Sequence, residues 1–391
     1  MKTMAVPVVR VNRKAAERVR SGHPWSFASD VIDSGTAQPG DAVRVVDPKG
    51  RNLGTGHYSS SSQIAVRLLS NRIEAIDEAF FTKRIEAALG YRRRVVTESN
   101  AYRLVHAEGD LLPGLIADVY DRYLAVQLLD QGMDRMTGII TSVLSRVTGA
   151  QGIVARNDVA SRTKESLPQE VKVLCGDVPE HVPVQMNGIM FSANLLAGQK
   201  TGVFLDQREN YTAVRRCARG RALDCFTGTG GFALHLAAVC ESVEALDSSA
   251  AMLSDAERNV AANQLSNIRL QNADVLEYLP GLVAARRSFD LIVIDPPAFT
   301  KSRSGLEGAA RGYKEINLRA LKLLGRGGVL VSCSCSHHMS EAHLLQVIAE
   351  AALDSGKQLR VLERRTQAQD HPILLTVPET HYLKCLIFEV M

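Results

Sequence analysis

The chain reads as an α/β protein whose second half is a doubly wound parallel sheet, preceded by a small β-rich head and a central α/β region. Three observations predict this. From about Met186 onward, apolar runs that suit buried strands alternate with stretches of helical period, the pattern of a parallel sheet with crossover helices. A glycine-rich run, Gly228-Thr-Gly230-Gly231, falls at the first strand-to-helix junction of that series, where the backbone must turn tightly. Residues 1–74 instead carry short strand-like runs punctuated by Pro and Gly, which argues for a compact β module.

The elements follow in order. In the head, Pro39 to Gly50 reads as turn, strand, turn, Gly54-Thr-Gly56-His-Tyr-Ser as a glycine-rich bend, and Gln63 to Leu69 as a strand. A central domain over 75–185 opens with an amphipathic helix from Ile76 to Leu89. Strands are expected at Tyr102–Ala107, Leu115–Val119, Tyr123–Leu128 and Gly152–Arg156, with a helix near Met133–Val147. The last domain, 186–391, has expected strands at Ala222–Phe226, Ser242–Leu246, Ile268–Gln271, Phe289–Ile294 and Gly328–Ser332. Between them, helices are expected near Gly231–Val239, Ser249–Gln264, Val275–Ala284, Tyr313–Leu324 and Glu341–Ser355. Gln358–Arg364 and His381–Val390 suit an antiparallel edge pair.

Bulk properties narrow the class. At 391 residues the chain can bury large cores without staples. Its seven cysteines form no framework, and Cys333 with Cys335 has no partner pair to complete a zinc site. No metal is expected. The first residues lack a long apolar core and a cleavage site, and no apolar run reaches membrane length. A soluble cytoplasmic protein is expected, with a dimer the ordinary prior for a soluble enzyme. The net charge of +4 is uneven: residues 1–74 carry a net +5 and the remainder −1. Arg10, Arg13, Lys14, Arg18 and Arg20 are opposed in that stretch only by Glu17. They form either a solvated helix face or a footprint for phosphates, and the charge asymmetry tilts toward a polyanion.

Ligands of open α/β sheets bind beyond the carboxyl ends of the strands, and acids cluster there. Asp224 precedes the glycines, Asp247 closes the second strand, Asp274 follows the third and Asp295 the fourth. Gly228-x-Gly230-x-x-Ala233 formally satisfies a dinucleotide fingerprint, with Asp247 near ribose-binding spacing. A carboxylate at Asp224 would repel a pyrophosphate but suits the ammonium of S-adenosylmethionine. Asp247 can then accept from both ribose hydroxyls and Asp274 from the adenine amine. Phe226, Gly228 and Gly230 complete the expected cofactor contacts, although each acid also fits a helix cap.

Asp295-Pro-Pro-Ala-Phe299 makes a stiff loop. It places Asp295 beside the cofactor and a base to be modified, with Pro297 on the pocket wall. Carbon 5 of cytosine is a weak nucleophile. A thiolate adding to carbon 6 makes carbon 5 reactive, and an acid near ring nitrogen 3 must assist, a role for Asp295 if burial raises its pKa. Cys335 is the expected nucleophile. Alternation puts Cys333 on the same face, but deeper in the apolar strand. His337 and His338 read as loop residues.

With these residues in place, the chain resembles the bacterial 23S ribosomal RNA (cytosine-5)-methyltransferases of the large-subunit methyltransferase I family. Arg20-Ser-Gly-His-Pro-Trp25-Ser-Phe27 and Gly54-Thr-Gly56-His-Tyr58-Ser are similar to its PUA-like RNA-binding domain. Glu108-Gly-Asp110-Leu-Leu-Pro-Gly114-Leu-Ile-Ala-Asp118 is similar to its central domain, and Arg311-Gly-Tyr313-Lys-Glu-Ile-Asn317 to the helix after its acid-proline loop. Lys200-Thr-Gly202-Val-Phe-Leu-Asp206-Gln-Arg208 resembles the segment lining its cofactor side, which implies cofactor contacts from Asp206 and Arg208. The resemblance implies a Rossmann-like methyltransferase domain, S-adenosylmethionine as donor, and 23S ribosomal RNA or a large-subunit assembly intermediate as substrate. It aligns a catalytic Cys-Ser pair with Cys335-Ser336. Another RNA atom as target, or an assembly factor with a vestigial pocket, are the alternatives. Trp25 fits core packing better than base stacking. His106 and His181 read as structural or surface residues, and Arg92-Arg-Arg94 as a solvated helix end.

Overall fold

The structure, a computed structural model, describes residues 6–198, 201–299 and 305–391. The chain divides into two compact units. One takes the chain as far as Val184, together with Ala193–Val203 and Gln369–Thr380; the other takes Gln185–Ser192, Phe204–Ala368 and His381–Met391.

The first unit holds two sheets. Its six-stranded sheet is built from Val8–Val11, Trp25–Phe27, Val31–Asp33, Ala42–Val46, Asn52–Tyr58 and Ile64–Ser70. Helix Arg13–Arg20 starts where the Asn12 side chain accepts from the Ala15 N–H, and it buries Ala15, Ala16 and Val19 with Val9, Val43 and Val45. The expected bend at Gly54-Thr-Gly56 is instead the middle of a strand. Glycine is required there because a Cβ on Gly54, at φ +147°, would run into the Ser70 carbonyl oxygen.

The five-stranded sheet comprises Ala101–His106, Leu115–Tyr120, Tyr123–Leu128, Gly152–Arg156 and Val171–Gly176. Helix Glu78–Val95 packs Phe81, Ile85 and Ala88 into its core. The single helix expected over Met133–Val147 is two, Gln131–Arg135 and Thr137–Thr148, which meet at Met136. The reading of Arg92 as solvated is also corrected. Its guanidinium is buried, pairs with both Asp110 oxygens, and donates to the Arg103 and Asp370 carbonyls. The partners lie far along the chain, so no local pattern announces them.

The second unit is a seven-stranded sheet. In chain order its strands are Arg221–Cys225, Ser242–Asp247, Ile268–Asn272, Phe289–Ile294, Leu324–Ser334, Leu359–Arg365 and Lys384–Val390. In space they run third, second, first, fourth, fifth, seventh, sixth. The first five are parallel, and the last two pair antiparallel, as expected for Gln358–Arg364 and His381–Val390. The order reverses between the first and fourth strands, which opens a crevice at their carboxyl ends. Helices Arg208–Cys217 and Gly231–Ala237 cover one face. Val275–Ala284, Leu306–Leu323 and Glu341–Asp354 cover the other. Helix Leu306–Leu323 begins ahead of the expected Tyr313 despite Gly308 and Gly312, because Ala309, Tyr313 and Ile316 bury one stripe.

Candidate active site

Four strand ends converge on the crevice. Asp224, near the end of the first strand, is fully buried. Its Oδ2 accepts from the Thr227 hydroxyl at 2.6 Å and the Ala233 N–H at 3.0 Å. Its Oδ1 is buried with no hydrogen-bond partner among the described residues. Burial, reinforced by Asp295 and Asp247, pushes this carboxyl up to about 7 against the bond from Thr227. A buried acceptor short of a donor fits the ammonium of S-adenosylmethionine, which would supply both hydrogen bond and counter-charge.

The turn beyond it is held tightly. Phe226, at φ +66°, adopts the left-handed conformation without being glycine, and Gly228 and Gly230 follow at +57° and +90°. Gly231 must lack a side chain because a Cβ would meet the Tyr211 hydroxyl. Asp247 ties this turn to the second strand: Oδ2 accepts from the Gly228 N–H at 2.9 Å and Oδ1 from the Ser249 N–H at 2.8 Å. The cap of the following helix is Ser249, not Asp247. Asp274 is exposed and does cap its helix, accepting from the Leu276 and Glu277 N–H groups.

Asp295 stands one residue past the fourth strand, half-buried, and its Oδ2 accepts from Gln207 Nε2 at 3.0 Å. Pro296 is buried and Pro297 exposed. Gln207 is fixed in turn by Asn210, whose Nδ2 donates to Gln207 Oε1 at 2.6 Å. On either side of Gln207 in the chain, Asp206 is buried and accepts from the Tyr382 hydroxyl at 2.8 Å, and Arg208 is 2% exposed beside Glu209.

The fifth strand separates the two thiols that alternation leaves equivalent. It ends at Ser334, so Cys333 is the last cysteine on the pleat, fully buried opposite Cys385, and Cys335 lies half-buried on the turn beyond. Burial pushes the Cys333 thiol well up, as for a small core hydrophobe. The turn is braced from two sides. Tyr313 donates to Ser334 Oγ at 2.8 Å, and Lys384 Nζ donates to the Ser336 carbonyl at 2.8 Å.

Reading the sequence alone passes over Gln207 and Lys384 and leaves Tyr313 without a role. Gln207 and Tyr313 stand within the family-like runs quoted above. The signal for Lys384 is a lone cation opening the apolar run Cys385-Leu-Ile-Phe388.

The basic residues of the head separate into two groups. Arg10, Arg13 and Lys14 are exposed, Arg13 beside Glu17. Arg18 and Arg20 have partners beyond the local stretch: Arg18 pairs with Asp30 at 2.7 Å and covers the Phe27 ring, and Arg20 pairs with the buried Asp47 at 2.7 Å. Trp25 is half-buried, and its indole N–H donates to Glu108 at 2.9 Å. Among the described residues no cluster of His, Cys, Asp and Glu is arranged to hold a metal, and no helix is long and apolar enough to cross a membrane.

Residues 102–389 match the family model of S-adenosylmethionine-dependent methyltransferases, and residues 9–71 match that of a PUA-like domain. The ribosomal RNA large subunit methyltransferase I of Pseudoalteromonas atlantica is 40% identical over 377 residues, covering 94% of this chain and 95% of that one. Its Yersinia pestis counterpart is 37% identical over 378 residues, covering 94% and 96%. A solved Streptococcus mutans chain assigned as an S-adenosylmethionine-dependent methyltransferase superposes with a TM-score of 0.84 at 20% identity, over 99% of this chain and 100% of that one. A second, assigned as a methyltransferase and solved with S-adenosylhomocysteine, scores 0.85 at 19% identity with the same coverage. At such identities these two speak for the fold alone.

Proposed function

The chain belongs to the family of ribosomal RNA large subunit methyltransferase I, S-adenosylmethionine-dependent enzymes, and from that premise we propose that it methylates carbon 5 of a cytosine in 23S ribosomal RNA. The observation that carries the reading is the position of Cys335. It is the half-exposed thiol on the turn after the fifth strand, next to the strand that delivers Asp295. Methylation of an exocyclic amine has no use for such a thiol.

The residues divide the work. Asp224 receives the cofactor's ammonium, Asp247 its ribose hydroxyls and Asp274 its adenine amine, while Phe226, Gly228 and Gly230 bring the backbone close. Asp206 and Arg208, both buried and flanking Gln207, supply the further cofactor contacts that the family-like run implies. When bound, S-adenosylmethionine supplies a methyl group on a sulfonium. Cys335 adds as thiolate to carbon 6 of the base, and the ring electrons then make carbon 5 nucleophilic. Asp295, oriented by Gln207, holds a proton toward ring nitrogen 3 during that addition. Once carbon 5 is methylated, a base takes its proton, the Cys335 thiolate is expelled, and ring nitrogen 3 returns its proton to Asp295, which restores the aromatic ring. Pro297, exposed on the loop, bounds the base. Arg10, Arg13 and Lys14, together with the ion-paired Arg18 and Arg20, give the PUA-like head a positive face for phosphates. A ribosomal RNA substrate also locates the protein in the cytoplasm.

The test is radiolabelled methyl transfer to unmodified ribosomal RNA and to large-subunit assembly intermediates, followed by nucleoside analysis. The expected result is label in 5-methylcytidine of the large-subunit RNA, reduced by at least about a thousandfold in Cys335→Ala, as befits loss of a covalent nucleophile. Label in a different nucleoside, or undiminished label in the variant, overturns the covalent mechanism.

A further inference from the structure

The fifth and seventh strands pair with Ser334 opposite Lys384 and Cys333 opposite Cys385. That register brings a lysine to the turn that carries Cys335. Lys384 is only 4% exposed, and its Nζ donates to the carbonyls of Ser336 at 2.8 Å and Tyr382 at 2.9 Å. An ammonium has three donors, and the two used here go to neutral oxygens. Ser336 follows Cys335 directly, so the charge is anchored one peptide unit from the thiol. The fields that reach Lys384 are those of Cys335 and Glu341, and Glu341 is ion-paired to Arg364.

We propose that the Lys384 ammonium is the counter-charge that holds Cys335 as a thiolate, making Lys384 a positioning residue for the nucleophile. This rests on the reading of Cys335 as nucleophile. A nearby lysine draws a thiol's pKa down because the thiolate gains a partner. Asp295, just past the fourth strand, and Glu341, from the following helix, are acids, and Cys333 lies two residues back, near the end of the fifth strand. His337 and His338 share the turn. Tyr313, from helix Leu306–Leu323, is pushed by burial up to about 12 and stays neutral. Burial pulls Lys384 down to about 8. The lysine therefore keeps its charge at neutral pH and loses it as pH rises beyond about 8.

The test needs neither RNA nor cofactor. Alkylation of the Cys335 peptide by iodoacetamide is followed by mass spectrometry from about pH 6 to 9, with half-buried Cys217 as the internal reference for an intact fold. Wild type should show a midpoint below the ordinary thiol value of about 8.5. Lys384→Gln keeps donors for the carbonyls but removes the charge, and should raise the midpoint by about one unit, a tenfold slower reaction near neutrality. Lys384→Arg should stay with wild type. A wild-type midpoint at or above the ordinary value overturns the proposal even if Lys384→Gln fails to fold. So does a Gln variant that titrates like wild type, or an Arg variant that shifts as far as Gln. Because the readout is thiolate content, a negative result here leaves the Cys335→Ala methylation result standing. Failure of that methylation assay likewise leaves this titration intact.

Discussion

Asp224 concentrates the electrostatics of the proposed cofactor side in one residue. An acid held at about 7 by burial has a folded pKa above its unfolded value of 3.8. Its contribution to stability is full below about pH 4 and is lost as pH rises through about 7. The ligand-free protein should therefore lose melting temperature between pH 5 and 8, and Asp224→Asn should lose less over the same range. The same substitution should weaken S-adenosylmethionine binding by about ten- to a hundredfold, since a charge-assisted bond is replaced by a neutral one. Calorimetric titration at pH 8 checks this; equal affinities would remove Asp224 from the site. In wild type, affinity should also decline from pH 8 to pH 6, as the carboxyl takes up a proton and gives up its charge.

At the scale of elements, much was legible and the omissions share a cause. The strands Tyr123–Leu128, Gly152–Arg156 and Phe289–Ile294 and the helix Val275–Ala284 have the bounds that their apolar runs indicate. Side chains paired across long stretches of chain were not legible. Lys384 reaches a carbonyl 48 residues away, and Gln207 an acid 88 residues away. Residue type alone marks neither. Arg92 is the clearest case, since a triple-arginine helix end reads as solvated until Asp110 and Asp370 are brought to it. The end of helix Glu78–Val95 depends on that pairing. Arg92→Met should cost about 3–5 kcal/mol, because Asp110 is left as an uncompensated partly buried charge. Urea denaturation measures it, and a loss within about 0.5 kcal/mol, typical of a surface site, would mean the pair is dispensable.

At the scale of the whole molecule, the two units are not consecutive in the chain. A fragment ending at residue 185 lacks Asp370, which accepts from the Arg103 N–H at 2.9 Å and through its carbonyl from Arg92 at 2.8 Å. It also lacks Thr201, whose hydroxyl donates to the buried Asp118 at 2.5 Å. Such a fragment should melt below the corresponding transition of the intact chain in scanning calorimetry. Melting at the same temperature would show those bonds contribute nothing.

The placing of the seventh strand between the fifth and the sixth has a consequence in time. During synthesis the fifth strand emerges first and Leu359–Arg365 next, yet these two never pair with each other. Leu359–Arg365 gains its sheet neighbour only once Lys384–Val390 has been made. The residues that pass in between include Gln369–Thr380, which belong to the first unit. One length of chain thus serves the first unit on its way between two strands of the second. A nascent chain interrupted within that interval would carry the thiol turn without its lysine, and an open strand edge ready to pair with a neighbour.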